Sequence, residues 1–255
     1  MSECSAARLF DLSGKVAVVT GGSRGLGREM VLAFAEHGAD IVIASRKIAN
    51  CETVADEVRA IGRRALAFGY HAASWTDADA LADAAYAEFG RVDVLVNNAG
   101  MSPLYPSLAD VSEELFDKVM GVNLKGPFRL SANIGTRMVA TGGGSIINVS
   151  SVASHRPSPA EAPYAAAKAG INSLTKSLAA AFGPTVRVNC IVPGPFLTDI
   201  SKAWDMQTFN EYAKTAYALG RGGEPGEIVG AALYFASDAS SYTTGALLDV
   251  DGLPR

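Results

Sequence analysis

Tyr164 and Lys168 stand four residues apart in Tyr-Ala-Ala-Ala-Lys, within a stretch, Tyr164–Phe182, that reads as one long helix. Four residues is just over one turn, so both side chains leave the same helix face. A free tyrosine titrates near ~10, too high for useful proton exchange at neutral pH. Bringing it to about 7 takes ~4 kcal/mol of selective stabilisation of the phenolate. An ammonium ~4 Å away supplies roughly that at an effective dielectric of ~20. The pair is therefore a candidate acid–base centre.

A second stretch, Val19–Gly27, holds four glycines in nine residues, directly after an apolar, β-branched run at 15–20. Gly21, Gly25 and Gly27 give the spacing GxxxGxG, which is neither GxGxxG nor a Walker loop. Placed between a strand and a helix, such a loop turns tightly and lets backbone amides approach a phosphate.

These groups need a frame to hold them. Strand-like runs at 15–20, 39–45, 65–70, 92–100, 145–151, 186–192 and 246–250 alternate with helix-like ones. The helical stretches are Arg28–Gly38, Ile48–Ile61, Thr76–Phe89 (capped by Thr76 or Asp77), Ser112–Arg137, Tyr164–Phe182 and Glu224–Ala236. Strands that are apolar throughout and separated by helices predict a parallel sheet covered on both faces. The fold class is α/β: one doubly wound, Rossmann-like domain over 1–255, with a seven-stranded parallel sheet. Residues 194–223 break the rhythm and are expected to lie over the ligand crevice as a lid.

The chain of 255 residues is 49% hydrophobic and 19% charged, with a net charge of −4. That argues for a folded chain and, without a basic run, against a nucleic-acid surface. No apolar run approaches the length of a membrane span, and the start is too polar for a signal peptide. Cys4, Cys51 and Cys190 are scattered, which predicts reduced thiols in a cytoplasm. His37, His71 and His155 lack ligand spacing, so no metal site is expected.

Five ordered motifs resemble those of the short-chain dehydrogenase/reductase family. They are TGGSRGLG at the glycine loop, Asn97-Asn98-Ala99-Gly100, Asn123 in VNLKG, Ser151 thirteen residues before Tyr164 with Lys168, and Pro193-Gly194 followed by Thr198. Each alone has an ordinary explanation as a turn, a cap or a surface residue; their order and spacing carry the resemblance. It covers about residues 12–252 and extends to the family's 3-oxoacyl thioester reductases.

The resemblance implies roles. Tyr164 would exchange the proton with a substrate oxygen. Lys168 would hold the nicotinamide ribose and depress the tyrosine, helped by a positively charged oxidised nicotinamide. Ser151 would hydrogen-bond the substrate, and Asn123 would position a water leading from Lys168 to solvent. The dinucleotide would lie along Gly21, Ser23, Arg24, Gly25, Leu26 and Gly27, then Asn98, Ala99 and Gly100, with His71 and Ala72 near the adenine. Pro193, Gly194 and Thr198 would complete the nicotinamide side. A carboxylate after the second strand would favour NAD(H). Ser45 stands there instead, followed by Arg46, with Arg24 nearby, so NADP(H) is expected over NAD(H).

Two positions depart from the pattern. His71 replaces the usual acid after the third strand, and Leu253 replaces the second glycine of a VDGG ending. The expected activity is interconversion of a ketone and a secondary alcohol. The alternatives are a silent NADP-binding regulator, an NAD-dependent alcohol or sugar dehydrogenase, and a lyase or epimerase. Ser102, Leu104, Tyr105, His155, Arg156, Phe196 and Trp204 are expected to line the pocket of a small-molecule substrate. That substrate, from 3-oxoacyl thioesters to sugar acids, steroids and cyclic ketones, is not ranked. A homotetramer is expected, packed through Ser112–Arg137 and Tyr164–Phe182 with Ala165, Ala166, Ala169, Ala179 and Ala180 at the contact.

Overall fold

The structure, a computed structural model, describes residues 8–199, 201 and 205–254. Its strands are β1 Val16–Thr20, β2 Asp40–Ser45, β3 Ala65–Gly69, β4 Val94–Asn97, β5 Gly144–Val149, β6 Val186–Pro193 and β7 Leu247–Val250. All seven pair in parallel in the order β3-β2-β1-β4-β5-β6-β7. The chain winds outward from β1 in one direction and from β4 in the other. The reversal opens a crevice at the C-terminal ends of β1 and β4, where ligands bind in this architecture.

The helices are α1 Gly25–Glu36, α2 Ile48–Ala60, α3 Trp75–Phe89, α4 Glu113–Met120, α5 Gly126–Thr141, α6 Ala162–Phe182, α7 Met206–Ala216 and α8 Val229–Ala236. Successive strand residues face opposite sides, so the inner strands feed two cores. Ala17, Val19, Ile41 and Ile43 pack under α1, α2 and α8 through Phe34, Val54 and Phe235. Val16, Val18, Val42 and Leu95 pack under α3, α5 and α6 through Leu81, Ile134 and Leu178. Strands buried on both sides carry the apolar run read in the sequence.

Several boundaries differ from the sequence reading. Helix α3 is capped by Ser74, whose hydroxyl accepts from the Asp77 amide; neither Thr76 nor Asp77 is the cap. The helix expected over Ser112–Arg137 is divided into α4 and α5 by a widened π turn at Gly121–Lys125. The irregular stretch 194–223 contains α7, started by Asp205, which accepts from the Gln207 and Thr208 amides. Ala165 and Ala179, expected at a subunit contact, are buried within the chain, while Ala166, Ala169 and Ala180 lie open. Among the described residues, no helix is long and apolar enough to cross a membrane.

Candidate active site

The glycine loop leaves β1 and enters α1 at the crevice. Gly21 has φ +67° and Gly25 φ +52°, conformations that side chains rarely adopt. At Gly27 the constraint is space: a Cβ would overlap the Gly21 carbonyl oxygen and lie 2.6 Å from Asn98 Nδ2. The first turn of α1 has neither a side-chain cap nor an acidic residue. Its amides are left to an anion, and the dipole favours one. In front lies a cavity of about 490 Å³, between Ser23, Arg24 and Gly25 on one side and Thr198, Ser201 and Met206 on the other. Gly27→Ala is expected to destabilise the fold by about 1–3 kcal/mol through overpacking. A thermal melt checks it, at about 2–4 °C per kcal/mol; an unchanged midpoint would contradict the close approach.

Thr20, which the sequence reading did not single out, ties this loop to the next. Its Oγ1 accepts from the Asn98 amide at 3.0 Å and the Ala99 amide at 3.1 Å, and donates to the Val96 carbonyl. Asn98 Nδ2 donates to the Thr20 carbonyl at 2.9 Å. A threonine at the strand exit, next to the glycine motif, was the available signal.

At the far end of the crevice, Ser45 Oγ donates to Ser23 Oγ at 2.8 Å. Arg24 and Arg46 are exposed, and among the described residues neither has an acidic partner. Arg28, by contrast, is held by Glu57 and Glu29. His71 is exposed, and its backbone amide donates to Asp77 Oδ2 at 3.0 Å. A carboxylate thus does serve the turn after β3, but it reaches back from α3. Ala72 is buried, with its carbonyl against Gly126 where a Cβ would overlap it.

At the crevice centre the structure brings together Ser151, Tyr164 and Lys168. Lys168 is buried, and its Nζ donates to the Val149 carbonyl at 2.7 Å. The same Nζ lies 5.6 Å from the Tyr164 ring centroid. Ser150 Oγ donates to the Lys168 carbonyl, fixing that turn of α6 against β5. Ser151 opens a short 3₁₀ turn over Val152–Ser154, its Oγ accepting from the Ala153 amide.

The electrostatics correct the expectation for the tyrosine. Burial pushes the Tyr164 phenol above its ordinary range; Glu161 adds to this and the Ser151 hydroxyl opposes it. Burial also lowers Lys168, to about 8. The ammonium is turned to a backbone carbonyl and is itself weakened by desolvation. The protein alone does not hold the phenol down.

Asn123 sits in the π turn, fully buried. Its Nδ2 donates to the Met101 and Val119 carbonyls at 2.8 and 2.9 Å, and its Oδ1 accepts from the Met101 amide at 3.2 Å. It staples the helix break to the loop after β4. Gly100 lies between it and Lys168: a Cβ there would be 3.0 Å from Asn123 Oδ1 and 3.6 Å from Lys168 Nζ. Beneath, Asn97 Nδ2 donates to Ser131 Oγ and Asn148 Oδ1, and Asn148 Nδ2 donates to Thr175 Oγ1. This buried ladder locks β4 and β5 to α5 and α6; nothing in the spacing of these residues announced it.

Beside Tyr164 lies a narrow cleft, closed to water in this structure and lined by Pro103, Tyr105, Leu115, Val119, Glu161, Pro163 and Tyr164. Of the expected wall residues, Tyr105 takes part, and Ser102 and Leu104 are exposed on the same loop. Phe196 does not line it: it is 7% exposed, in the core beside Gly223. Arg156 is engaged, donating to the Pro254 carbonyl at 2.8 Å. His155 Nε2 lies 3.8 Å from Asp249 Oδ1. Trp204 lies outside the described residues.

A model of the family described as enoyl-(acyl carrier protein) reductase matches residues 21–252. The cow (Bos taurus) protein dehydrogenase/reductase SDR family member 4 is 35% identical over 254 residues, 99% of this chain and 91% of that one. The chain belongs to the short-chain dehydrogenase/reductase family. A 7α-hydroxysteroid dehydrogenase solved with NADH and a 7-oxo bile acid superimposes with TM-score 0.93, at 32% identity and 97% coverage of both chains. A 3-oxoacyl (acyl-carrier-protein) reductase from Agrobacterium tumefaciens, solved with NADP, gives 0.92, at 30% identity and 99% coverage of both.

This short-chain dehydrogenase/reductase is thus an oxidoreductase of alcohol and carbonyl substrates. Its departure at Leu253 has a structural cost. Leu253 has φ +55° and is the sole non-glycine with positive φ among the described residues. A branched side chain there costs about 1–2 kcal/mol. The strained turn keeps the Gly252 and Leu253 carbonyls accepting from the Leu219 and Ala218 amides, after α7.

Proposed function

We propose that this protein is an NADP(H)-dependent oxidoreductase that interconverts a ketone and a secondary alcohol, with Tyr164 as the proton donor and acceptor. The observation that carries this is the placement of Ser151 and Lys168 beside Tyr164, together with an uncapped phosphate cradle at the start of α1. The amides of Gly21–Gly27 would hold the pyrophosphate, with Leu26 packed beneath. Arg24, Ser45 and Arg46 would hold the 2′-phosphate, His71 and Ala72 the adenine side, and Asn98, Ala99, Gly100, Pro193, Gly194 and Thr198 the nicotinamide side. When bound, the nicotinamide supplies the hydride.

The residues of the chain handle the oxygen and the proton. Ser151 and Tyr164 orient the substrate oxygen, and Tyr164 passes its proton to it. Lys168, lowered by burial into the working range, holds the ribose and replaces that proton. The positive charge of an oxidised nicotinamide would bring the phenol down, which the protein alone does not. Asn123 keeps the loop after β4 fixed and, as in the family, would position a water toward Lys168.

Residues 194–223, with α7, act as the lid of a single-domain enzyme. Buried free thiols at Cys51 and Cys190 suit a cytoplasmic setting. Following NADPH absorbance across a panel of carbonyl compounds tests the activity. Cofactor binding with no turnover of any of them would favour a silent regulator. We also assign a homotetramer, built through the open faces of α4, α5 and α6, where Phe116, Phe128, Ala166 and Ala169 are exposed. Light scattering at micromolar concentration should give the mass of four chains; a monomer would contradict it.

A further inference from the structure

Glu161 is the unexplained charge at the cleft. It stands one turn before Tyr164, at the N-cap of α6, yet makes no capping hydrogen bond. No salt bridge or side-chain hydrogen bond of its carboxylate occurs among the described residues. It is half-buried, and burial raises its pKa. It lines the cleft with Tyr164, Tyr105 and Leu115, and its charge is felt by the Tyr164 phenol. Its position is fixed: Tyr105 Oη donates to the Pro159 carbonyl at 2.6 Å and accepts from the Ala162 amide at 2.7 Å, bracketing Glu161 on both sides. A carboxylate held in a partly desolvated cleft without an internal partner is completed by an outside donor.

Building on the oxidoreductase reading, we propose that Glu161 determines substrate specificity. It receives a hydroxyl or cationic group borne by the substrate a few bonds from the reacting carbonyl, and it turns away substrates that carry a carboxylate there. The favoured class is a polyol-like or amine-bearing ketone. The discrimination is electrostatic: the opposite charge or donor is attracted, and a second carboxylate is repelled in the same low-dielectric space.

Four ring ketones of one shape test this: N,N-dimethyl-4-oxopiperidinium, 4-hydroxycyclohexanone, cyclohexanone and 4-oxocyclohexanecarboxylate. Turnover is followed by NADPH absorbance, and binding to the cofactor-loaded enzyme by calorimetry. The cation and the alcohol should exceed the carboxylate in kcat/KM by about 10- to 100-fold, the size of a charge-assisted contact. Glu161→Gln should remove most of the cation's advantage, spare more of the alcohol's, and raise the carboxylate about tenfold. Glu161→Asp, which keeps the charge, should preserve the order. The change should fall on KM, because the contact is the same before and during reaction. A Glu161-dependent order in binding without turnover would uphold the recognition site and sink the oxidoreductase reading. An order that Glu161→Gln leaves unaltered, or no binding of any of the four, would overturn the inference.

Discussion

Tyr164→Phe should lower kcat by about 10²–10⁴-fold, the range that acid–base catalysis contributes. The ring is retained, so the packing of α6 against β5 survives. The hydroxyl has the Ser151 side chain as its hydrogen-bonding neighbour, so its loss should cost about 0.5–1.5 kcal/mol of stability at most. NADPH affinity should be nearly that of wild type, because Lys168 keeps its bond to the Val149 carbonyl. Steady-state rates with a reducible ketone, together with a fluorescence titration of NADPH, separate the two effects. Near wild-type turnover would end the assignment of Tyr164 as the proton donor.

Arg46→Ala should weaken NADPH binding by roughly 10- to 150-fold and leave NADH binding nearly unchanged. A hydrogen bond to a charged group is worth about 1.5–3 kcal/mol, and only NADPH carries the 2′-phosphate to lose. The local structure favours this selectivity. Arg46 and Arg24 are exposed and unpaired by any described acid, while Ser45 and Ser23 share a hydrogen bond between them. Arg28 is already committed to Glu57 and would not compensate. Dissociation constants for both dinucleotides, in wild type and variant, decide it. Equal wild-type affinities, or equal losses on mutation, would reverse the assignment of NADP(H).

The sheet was legible because its inner strands are buried on both faces and read as apolar runs, while the edge strands β3 and β7 are only partly covered. The glycine loop was legible because Gly21 and Gly25 need positive φ and Gly27 needs the absence of a Cβ. Tyr164 and Lys168 were legible because helical spacing alone puts them on one face. What stayed hidden depends on distant parts of the chain. Phe196 looks like a pocket aromatic until Gly223 is seen to make room for it in the core. Arg156 reads as a free cation until the Pro254 carbonyl, 98 residues away, accepts from it. The break at Gly121–Lys125 exists because Asn123 bonds to Met101 across the loop, which propensity cannot express. Asp77 supplies a carboxylate to the turn after β3 from one turn into a helix, while the local pattern shows only His71. The direction of the Tyr164 shift was misjudged because spacing reports the partner's charge and not the burial of both groups.

The hydrogen bonds made by residues 252–254 have a consequence for how the molecule is made. The glycine loop, β1 to β4 and the helices α1 to α3 belong to the first half of the chain. The return from α7 is stitched to Gly252 and Leu253, and the turn beyond Ser151 to Pro254. At about 5–20 residues per second, roughly 10–50 s separate synthesis of the loop from that of the strap. During that interval the nascent protein owns its phosphate cradle but not the frame of its substrate side. Translation therefore supplies the phosphate loop first and the strap at 252–254 much later, so the substrate side is framed only after the loop has been made.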